Sequence, residues 1–201
     1  LAQLLEHVAA ASAGELGDAI RQVVSLLERL ERLTTHSEAL AAKTNRTLSE
    51  TCLLAEIHEG EGRYPEAEAV LKPALEAGEI LAITQQIRLF RAREEWTRAS
   101  EIQQRLLSLP DGKTSANVQD LVLLLRRAQK SDEALKWVEE WKKLSPGATQ
   151  PWIEHSSILL EKDDEAGAIA LMRTAVQRFD DQPELRAQLA GLHLQKAEYA
   201  E

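Results

Sequence analysis

The sequence predicts an all-α fold in which helical hairpins follow one another along the chain. Only nine Gly and six Pro occur among 201 residues, whereas Ala, Leu, Glu, Gln and Arg, which favour helices, are abundant. Apolar residues recur at helical spacing, and one short turn-like pattern is repeated at an almost constant interval. Residue types that begin and end helices stand between the apolar stretches.

The repeated pattern is a turn-like or polar pair followed three residues later by a small residue. It occurs four times and closes each time on an alanine, namely Ala67, Ala99, Ala134 and Ala168. These alanines are 32, 35 and 34 residues apart. A small side chain allows two helices to approach closely, so we expect these alanines and Ala55 at helix crossings.

Capping residues mark the predicted helix boundaries. Thr47 and Glu50 have the spacing of a capping box at a helix start. Proline is expected in the first turn of a helix or just after a helix end. The first position fits Pro65, Pro151 and Pro183, and the second fits Pro110 and Pro146.

The interval and the two helical patterns per unit resemble the tetratricopeptide repeat (TPR) family. In the first unit, consensus packing positions of that family are matched by Leu54, Ala55, His58, Gly62, Tyr64, Ala67, Leu71 and Ala74. The resemblance covers residues 47–201, as units at about 48–81, 80–113, 115–148 and 149–182 and a partial unit at 183–201. It implies a right-handed α-solenoid of antiparallel helix–turn–helix repeats.

Residues 1–46 fit the pattern less well, and we predict a degenerate repeat whose second helix is lengthened or followed by a short extra helix. Gly14, Leu16 and Ala19 imitate the turn and the small residue, but Ala67 follows Ala19 by 48 residues. An apolar stripe with helical spacing comprises Ile20, Val23, Val24, Leu27, Leu30, Leu33 and Leu40. It fits a helix packed on the first full repeat or a coiled-coil dimer, although Thr34, Thr35 and Ser37 interrupt it.

Composition argues against several classes of protein. The formal net charge of −9 disfavours a nucleic-acid-binding surface. The longest apolar run, residues 121–125, is far too short to span a bilayer, so no direct membrane insertion is expected. The chain begins without Met and ends within a repeat, which favours a soluble part of a longer protein in either the cytoplasm or the periplasm.

No motif predicts an enzyme, a cofactor or a metal site. The string at 111–115 ends like a phosphate-binding loop, but Leu107 stands where that loop needs glycine, so we predict a turn with an N-cap at Thr114 or Ser115. The five histidines lack metal-ligand spacing. Cys52, the single cysteine, has no partner for a disulfide or a catalytic dyad.

The resemblance to TPR proteins implies a groove lined by the first helix of each repeat, at its fifth, ninth and twelfth positions. The corresponding stripes are Cys52, Glu56 and Glu59; Thr84, Arg88 and Arg91; Gln119, Leu123 and Arg126; and Ile153, Ser157 and Leu160. The stripes are flanked by Gln85 and Arg127. An acidic end thus leads through a basic centre to an apolar end.

We hypothesise that Arg88, Arg91 and Arg126 bind carboxylates of a partner segment, because the planar guanidinium can hold a carboxylate through two hydrogen bonds. The alternative is that these arginines pair with neighbouring acids, such as Glu56, Glu94 and Glu95, and bind no partner. The residues that bind a chaperone C-terminus in some TPR proteins are not matched here.

The sequence therefore predicts a scaffold that binds a protein or peptide partner, without nucleic acid. The alternative is a docking or regulatory arm of a larger enzyme. Ala- and Arg-rich repeats of this kind look bacterial, and such arrays commonly serve secretion, envelope assembly or exopolysaccharide export. Self-association is expected at the truncated last repeat, where a covering helix would be missing over Leu185, Leu189, Leu192 and Leu194.

Overall fold

The computed structural model describes residues 13–198, which contain eleven α-helices and no strand. The helices are α1 (Ala13–Arg29), α2 (Leu33–Ala41), α3 (Leu48–Gly60), α4 (Tyr64–Glu76), α5 (Ile80–Ala92), α6 (Trp96–Ser108), α7 (Ser115–Arg127), α8 (Ser131–Leu144), α9 (Gln150–Glu161), α10 (Glu165–Arg178) and α11 (Pro183–Glu198). The predicted all-α fold is confirmed. The ends of the first and last predicted repeats, at 1–12 and 199–201, lie outside the described residues.

The chain divides into two compact units, the first extending to Leu106 and the second beginning at Leu107. In the first unit, α3 packs against α4 and α5, and α4 against α5. In the second unit, α7 packs against α8, α8 against α9, α9 against α10, and α10 against α11. In these pairs, helices that are neighbours in sequence are therefore neighbours in space, as helical hairpins require.

The small residues predicted at helix crossings are all in the interior. Each has no exposed surface: Ala55, Ala67, Ala99, Ala134 and Ala168. Larger apolar side chains surround them, with Leu53, Leu54 and Leu71 in the first unit and Leu121, Leu125 and Val138 in the second. The repeated alanine therefore marks core positions of both units.

The turn inside each hairpin has the same backbone conformation. Five residues before each alanine of the repeated pattern, φ is positive: 74° at Gly62, 58° at Glu94, 59° at Gln129 and 59° at Asp163. The next residue donates its N–H to a carbonyl five positions back, at 2.8 Å from Arg63 to His58 and 2.8 Å from Lys130 to Leu125. These bonds close the first helix in a Schellman motif, which turns the chain back at once.

Helix starts carry the predicted caps. The side chain of Thr47 accepts from the N–H of Glu50 at 3.2 Å, and the Glu50 carboxylate accepts from the Thr47 N–H at 3.0 Å. Thr114 accepts from the N–H of Asn117 at 3.1 Å, so the prediction of an N-cap at Thr114 is confirmed. Asp164 caps α10 through the N–H of Gly167 at 2.8 Å.

Residues 13–46 form two helices, of which α1 packs against α2, α3 and α5. The prediction of a turn at Gly14 is wrong, because Gly14 and Leu16 lie inside α1. Three apolar residues of α1 are completely buried: Ile20, Val23 and Leu27. They share one core cluster with Cys52, Leu53 and Leu54 of α3. The apolar stripe of α1 therefore serves packing within the chain.

Candidate partner-binding surfaces

In the first unit, α1 covers part of the predicted stripe on α3 and α5. Cys52, which the resemblance placed on the groove, has no exposed surface and belongs to the core cluster that contains Ile20. Burial raises the pKa of its thiol to about 12, so Cys52 is neutral and inaccessible. The groove assignment of Cys52 is wrong, because helical spacing within α3 does not reveal which helix packs on it.

Arg88 packs against α1 and pairs with one carboxylate of the first unit. A Cβ built on Gly17 would lie 3.7 Å from Cδ of Arg88, so the helix leaves just enough room for the arginine stem. Arg88 forms an ion pair with Glu56, whose other neighbour is the amide of Gln85, donating at 2.9 Å. Burial, then repulsion by Arg21, lowers the pKa of Arg88 to about 10. Arg88 therefore remains a cation at neutral pH, with an acidic partner already in place.

Glu59 belongs to a second, half-buried network, built around Arg93. The Arg93 guanidinium lies 3.2 Å from Glu59, 3.2 Å from Glu68 and 3.2 Å from Glu95. Burial raises the pKa of Glu59, and the charge of Arg93 opposes that rise. Arg93, which follows the end of α5, was not predicted from the sequence. Arg91, which was predicted to bind a partner, is exposed and forms no ion pair within the described part of the chain.

In the second unit, Arg126 joins α7 to α9. It forms ion pairs with Glu154 and Glu161, and the hydrogen bond with Glu161 raises the pKa of Arg126. The amide of Gln150 also donates to Glu154, at 3.1 Å. The alternative that these arginines pair with neighbouring acids therefore applies to Arg88, which pairs with the predicted Glu56. It also applies to Arg126, which pairs with two acids that were not predicted.

The remaining predicted residues of the second unit are at or near the surface. Leu123 is 36% exposed, Arg127 is exposed, and Gln119 and Ser157 are half-buried. The Ser157 hydroxyl donates to the carbonyl of Ile153 at 3.1 Å, which satisfies it within α9.

An open groove lies between α9 and α11. Its volume is about 250 Å³, and it is lined by Ile153, Ser156, Ser157, Leu160, Gln188, Gly191 and Leu192. Three of these, Ile153, Ser157 and Leu160, are the stripe predicted for this repeat. Leu185 was expected to lack cover but is completely buried, in a cluster with Met172 and Ala175. Of the same group, Leu194 is 66% exposed.

The described residues offer no arrangement that would hold a metal ion. Among residues 13–198 no three His, Cys, Asp or Glu side chains come together as ligands. No helix in the same range has the length and apolar character needed to cross a bilayer.

Comparisons with known proteins agree on the fold. No protein-family model matches the chain, and neither does any curated protein. Similar solved structures include MamA from Desulfovibrio magneticus RS-1, with 12% identity over 82% of this chain and 96% of that one and a TM-score of 0.52. YrrB, described as a TPR protein with an unusual peptide-binding site, has 17% identity, covers 89% of each chain and gives a TM-score of 0.55.

A tetratricopeptide repeat protein from Parabacteroides merdae ATCC 43184 is also similar. It has 14% identity over 91% of this chain and 74% of that one, with a TM-score of 0.55. At such low identity the likeness concerns the arrangement of helices alone. The chain therefore has a TPR-like repeat fold, as the alanine interval predicted.

Proposed function

We propose that this chain is a protein-interaction scaffold whose second unit binds an apolar face of a partner segment between α9 and α11. The observation that supports this most directly is the open groove itself. It includes the stripe predicted for partner contact, and its lining combines the apolar side chains of Ile153, Leu160 and Leu192 with the polar Ser156, Ser157 and Gln188. No reactive group lines it.

The lining of the groove favours the side chains of a protein over a cofactor. Ser157 uses its hydroxyl within α9, so few polar groups remain to orient a small ligand. One or two apolar side chains on an amphipathic partner helix match this lining.

We assign the predicted binding of partner carboxylates to Arg91. A partner carboxylate at Arg88 or Arg126 would have to replace Glu56 in the first case, or Glu154 and Glu161 in the second. Arg91 is exposed and would be a separate contact of the first unit. Gln85 is only 4% exposed and bonds to Glu56, so it supports the arginine instead of reaching a partner.

There are two candidates for the wider role. A bacterial secretion, envelope-assembly or exopolysaccharide-export scaffold is the first candidate, and the docking arm of a larger enzyme is the second. The full-length reading frame distinguishes them, because only the second requires a catalytic domain beside the repeats.

Gly191 provides a test of the groove that leaves the core intact. A Cβ at Gly191 would meet no atom within 4 Å, so Gly191→Trp should fill the groove from its open side. Peptides of 16 residues selected from a displayed random library against the wild-type chain would be measured by fluorescence anisotropy. We expect Gly191→Trp to weaken binding by about tenfold or more, which corresponds to roughly 1.4 kcal/mol.

The matched control is Gly191→Ala, which adds a side chain too small to fill the groove and should bind like wild type. Circular dichroism would establish equal helix content in both variants. Selected peptides that bind the tryptophan variant as tightly as wild type would show that the groove is not the binding surface.

A further inference from the structure

The first unit contains a second groove, which opens between α4 and α6 with α5 as its floor. Its volume is about 690 Å³. Its lining includes the apolar Tyr64, Phe90 and Ile102 and the polar Gln86, Arg93 and Arg98. From α5 it uses Gln86 and Phe90, which lie outside the stripe of Thr84, Arg88 and Arg91.

Gln86 has an unusual position at the bottom of this groove. The residue is 2% exposed, and neither Nε2 nor Oε1 has a hydrogen-bond partner among the described residues. Buried polar groups are nearly always hydrogen-bonded, because water no longer satisfies them. Gln103, which is also 2% exposed, does take part in a polar interaction. An amide left unpaired in a lined groove indicates that its partner comes from outside the chain.

The rim of the groove is fixed, and its charges are already compensated. The Arg93 guanidinium lies 4.9 Å from the ring centre of Tyr64 and 5.0 Å from that of Phe90, and Arg98 lies 4.2 Å from Phe90. Glu68 forms ion pairs with both arginines. Cations held this way over aromatic faces stiffen the walls and leave little net charge to attract a charged ligand.

We propose that this groove binds an extended, uncharged peptide segment that places one large apolar side chain between α4 and α6. A peptide unit carries a donor and an acceptor, which are the groups that the Gln86 amide requires as partners. The apolar walls then accept the adjoining side chain. This site is independent of the groove between α9 and α11, so failure of either proposal leaves the other standing.

The side-chain amide of Gln86 allows a direct test by ¹H–¹⁵N NMR. Its NH₂ signals would be assigned from triple-resonance spectra of the wild-type chain, and the probe would be N-acetyl-glycyl-phenylalanyl-glycine amide at millimolar concentration. We expect saturable shifts of the Gln86 NH₂ signals, and at least about tenfold weaker binding to Gln86→Leu. Gln103→Leu, the matched buried glutamine, should bind the peptide like wild type.

Two further probes separate the peptide from other ligands. N-acetyl-triglycine amide lacks the apolar side chain and p-cresol lacks the peptide group, and neither should shift the Gln86 signals. Absence of any shift with the phenylalanyl peptide would overturn the proposal, and so would equal shifts with p-cresol, which would reduce the groove to an apolar pocket. The wild-type titrations decide these outcomes even if Gln86→Leu folds poorly.

Discussion

The first helices of the hairpins follow the same repeat pattern in both units. The face predicted to line a groove is largely covered in the first unit and open in the second. In the first unit, α1 packs on α3 and α5, so Cys52 and Gln85 are buried and Arg88 is held over Glu56. In the second unit, the corresponding side chains of α9 line an open groove with α11. A stripe that the repeat places on one helix face becomes core or surface according to the helix that packs on it.

The largest expected effect comes from loosening α1. Leu27 is completely buried in the core cluster of the first unit, so Leu27→Ala should lower the free energy of unfolding by about 2–5 kcal/mol. Urea denaturation would measure the change. Leu194, 66% exposed in the second unit, is the control, and its replacement by Ala should remain within about 0.5 kcal/mol of wild type.

The reactivity of the Cys52 thiol measures how firmly α1 packs on α3, without unfolding the chain. Its buried thiol should react slowly with a disulfide reagent in the wild type, and faster in Leu27→Ala, because opening of α1 exposes it. A fast reaction in the wild-type chain would contradict the covering role of α1.

The next largest effect is the difference in stability cost between replacing Arg88, which packs against α1, and replacing the exposed Arg91. Arg88→Glu would place a second carboxylate beside Glu56, with the ion pair removed, and should cost about 2–4 kcal/mol. Arg91→Glu changes an exposed side chain and should remain within about 0.5 kcal/mol of wild type. Thermal or urea unfolding of both variants measures the difference, and equal effects would mean that α1 does not enclose Arg88.

Both units should lose stability in mild acid through buried or half-buried histidines. Burial lowers the pKa of His36 and His58 in the first unit and of His155 in the second. Because each folded-state pKa lies below the unfolded value near 6.5, the unfolded chain takes up protons first, and stability falls as the pH drops below about 6.5. The slope is at most about 1.4 kcal/mol per pH unit for each histidine.

Single replacements assign that acid sensitivity to one unit or the other. Urea denaturation at pH 7 and pH 5 should show a smaller loss for His58→Phe and for His155→Phe than for wild type. An unchanged loss in either variant would remove that histidine from the explanation.

The smallest effects concern the turn that the two units share. Glu94 and Gln129 have positive φ, which glycine adopts more readily, so Glu94→Gly and Gln129→Gly should each stabilise by about 0.5–1 kcal/mol. Gly62→Ala should destabilise by about 1 kcal/mol for the reverse reason. A Cβ at Gly62 meets nothing within 4 Å, so its effect would come from the backbone alone. Thermal unfolding would show whether first-unit and second-unit turns respond alike.

Features that depend on neighbouring residues were predictable from the sequence. The capping box at Thr47, the cap at Thr114 and the alanine interval all arise from contacts within one hairpin or between successive helices. The candidate sites were less predictable. Pairing of Arg88 with Glu56 was one of two open interpretations of the sequence. Arg93 was not predicted, because Glu59 and Glu68, two of its three carboxylates, come from other helices.

The sequence contains one indication that Gln86 is an unusual residue. It stands four residues after Ala82 and four before Phe90, which places a polar side chain in the apolar stripe of α5. Whether its amide finds a partner depends on the side chains that α4 and α6 bring around it, and spacing along α5 carries no information about them.

The sequence by itself determined that this chain folds into consecutive helical hairpins, because caps, turns and small core residues act over a few residues or one repeat. Only the tertiary structure decided which helix faces stay open. That outcome depends on how α1 packs on α3 and α5 and on the space left between α9 and α11, which are long-range packing results that no local pattern encodes.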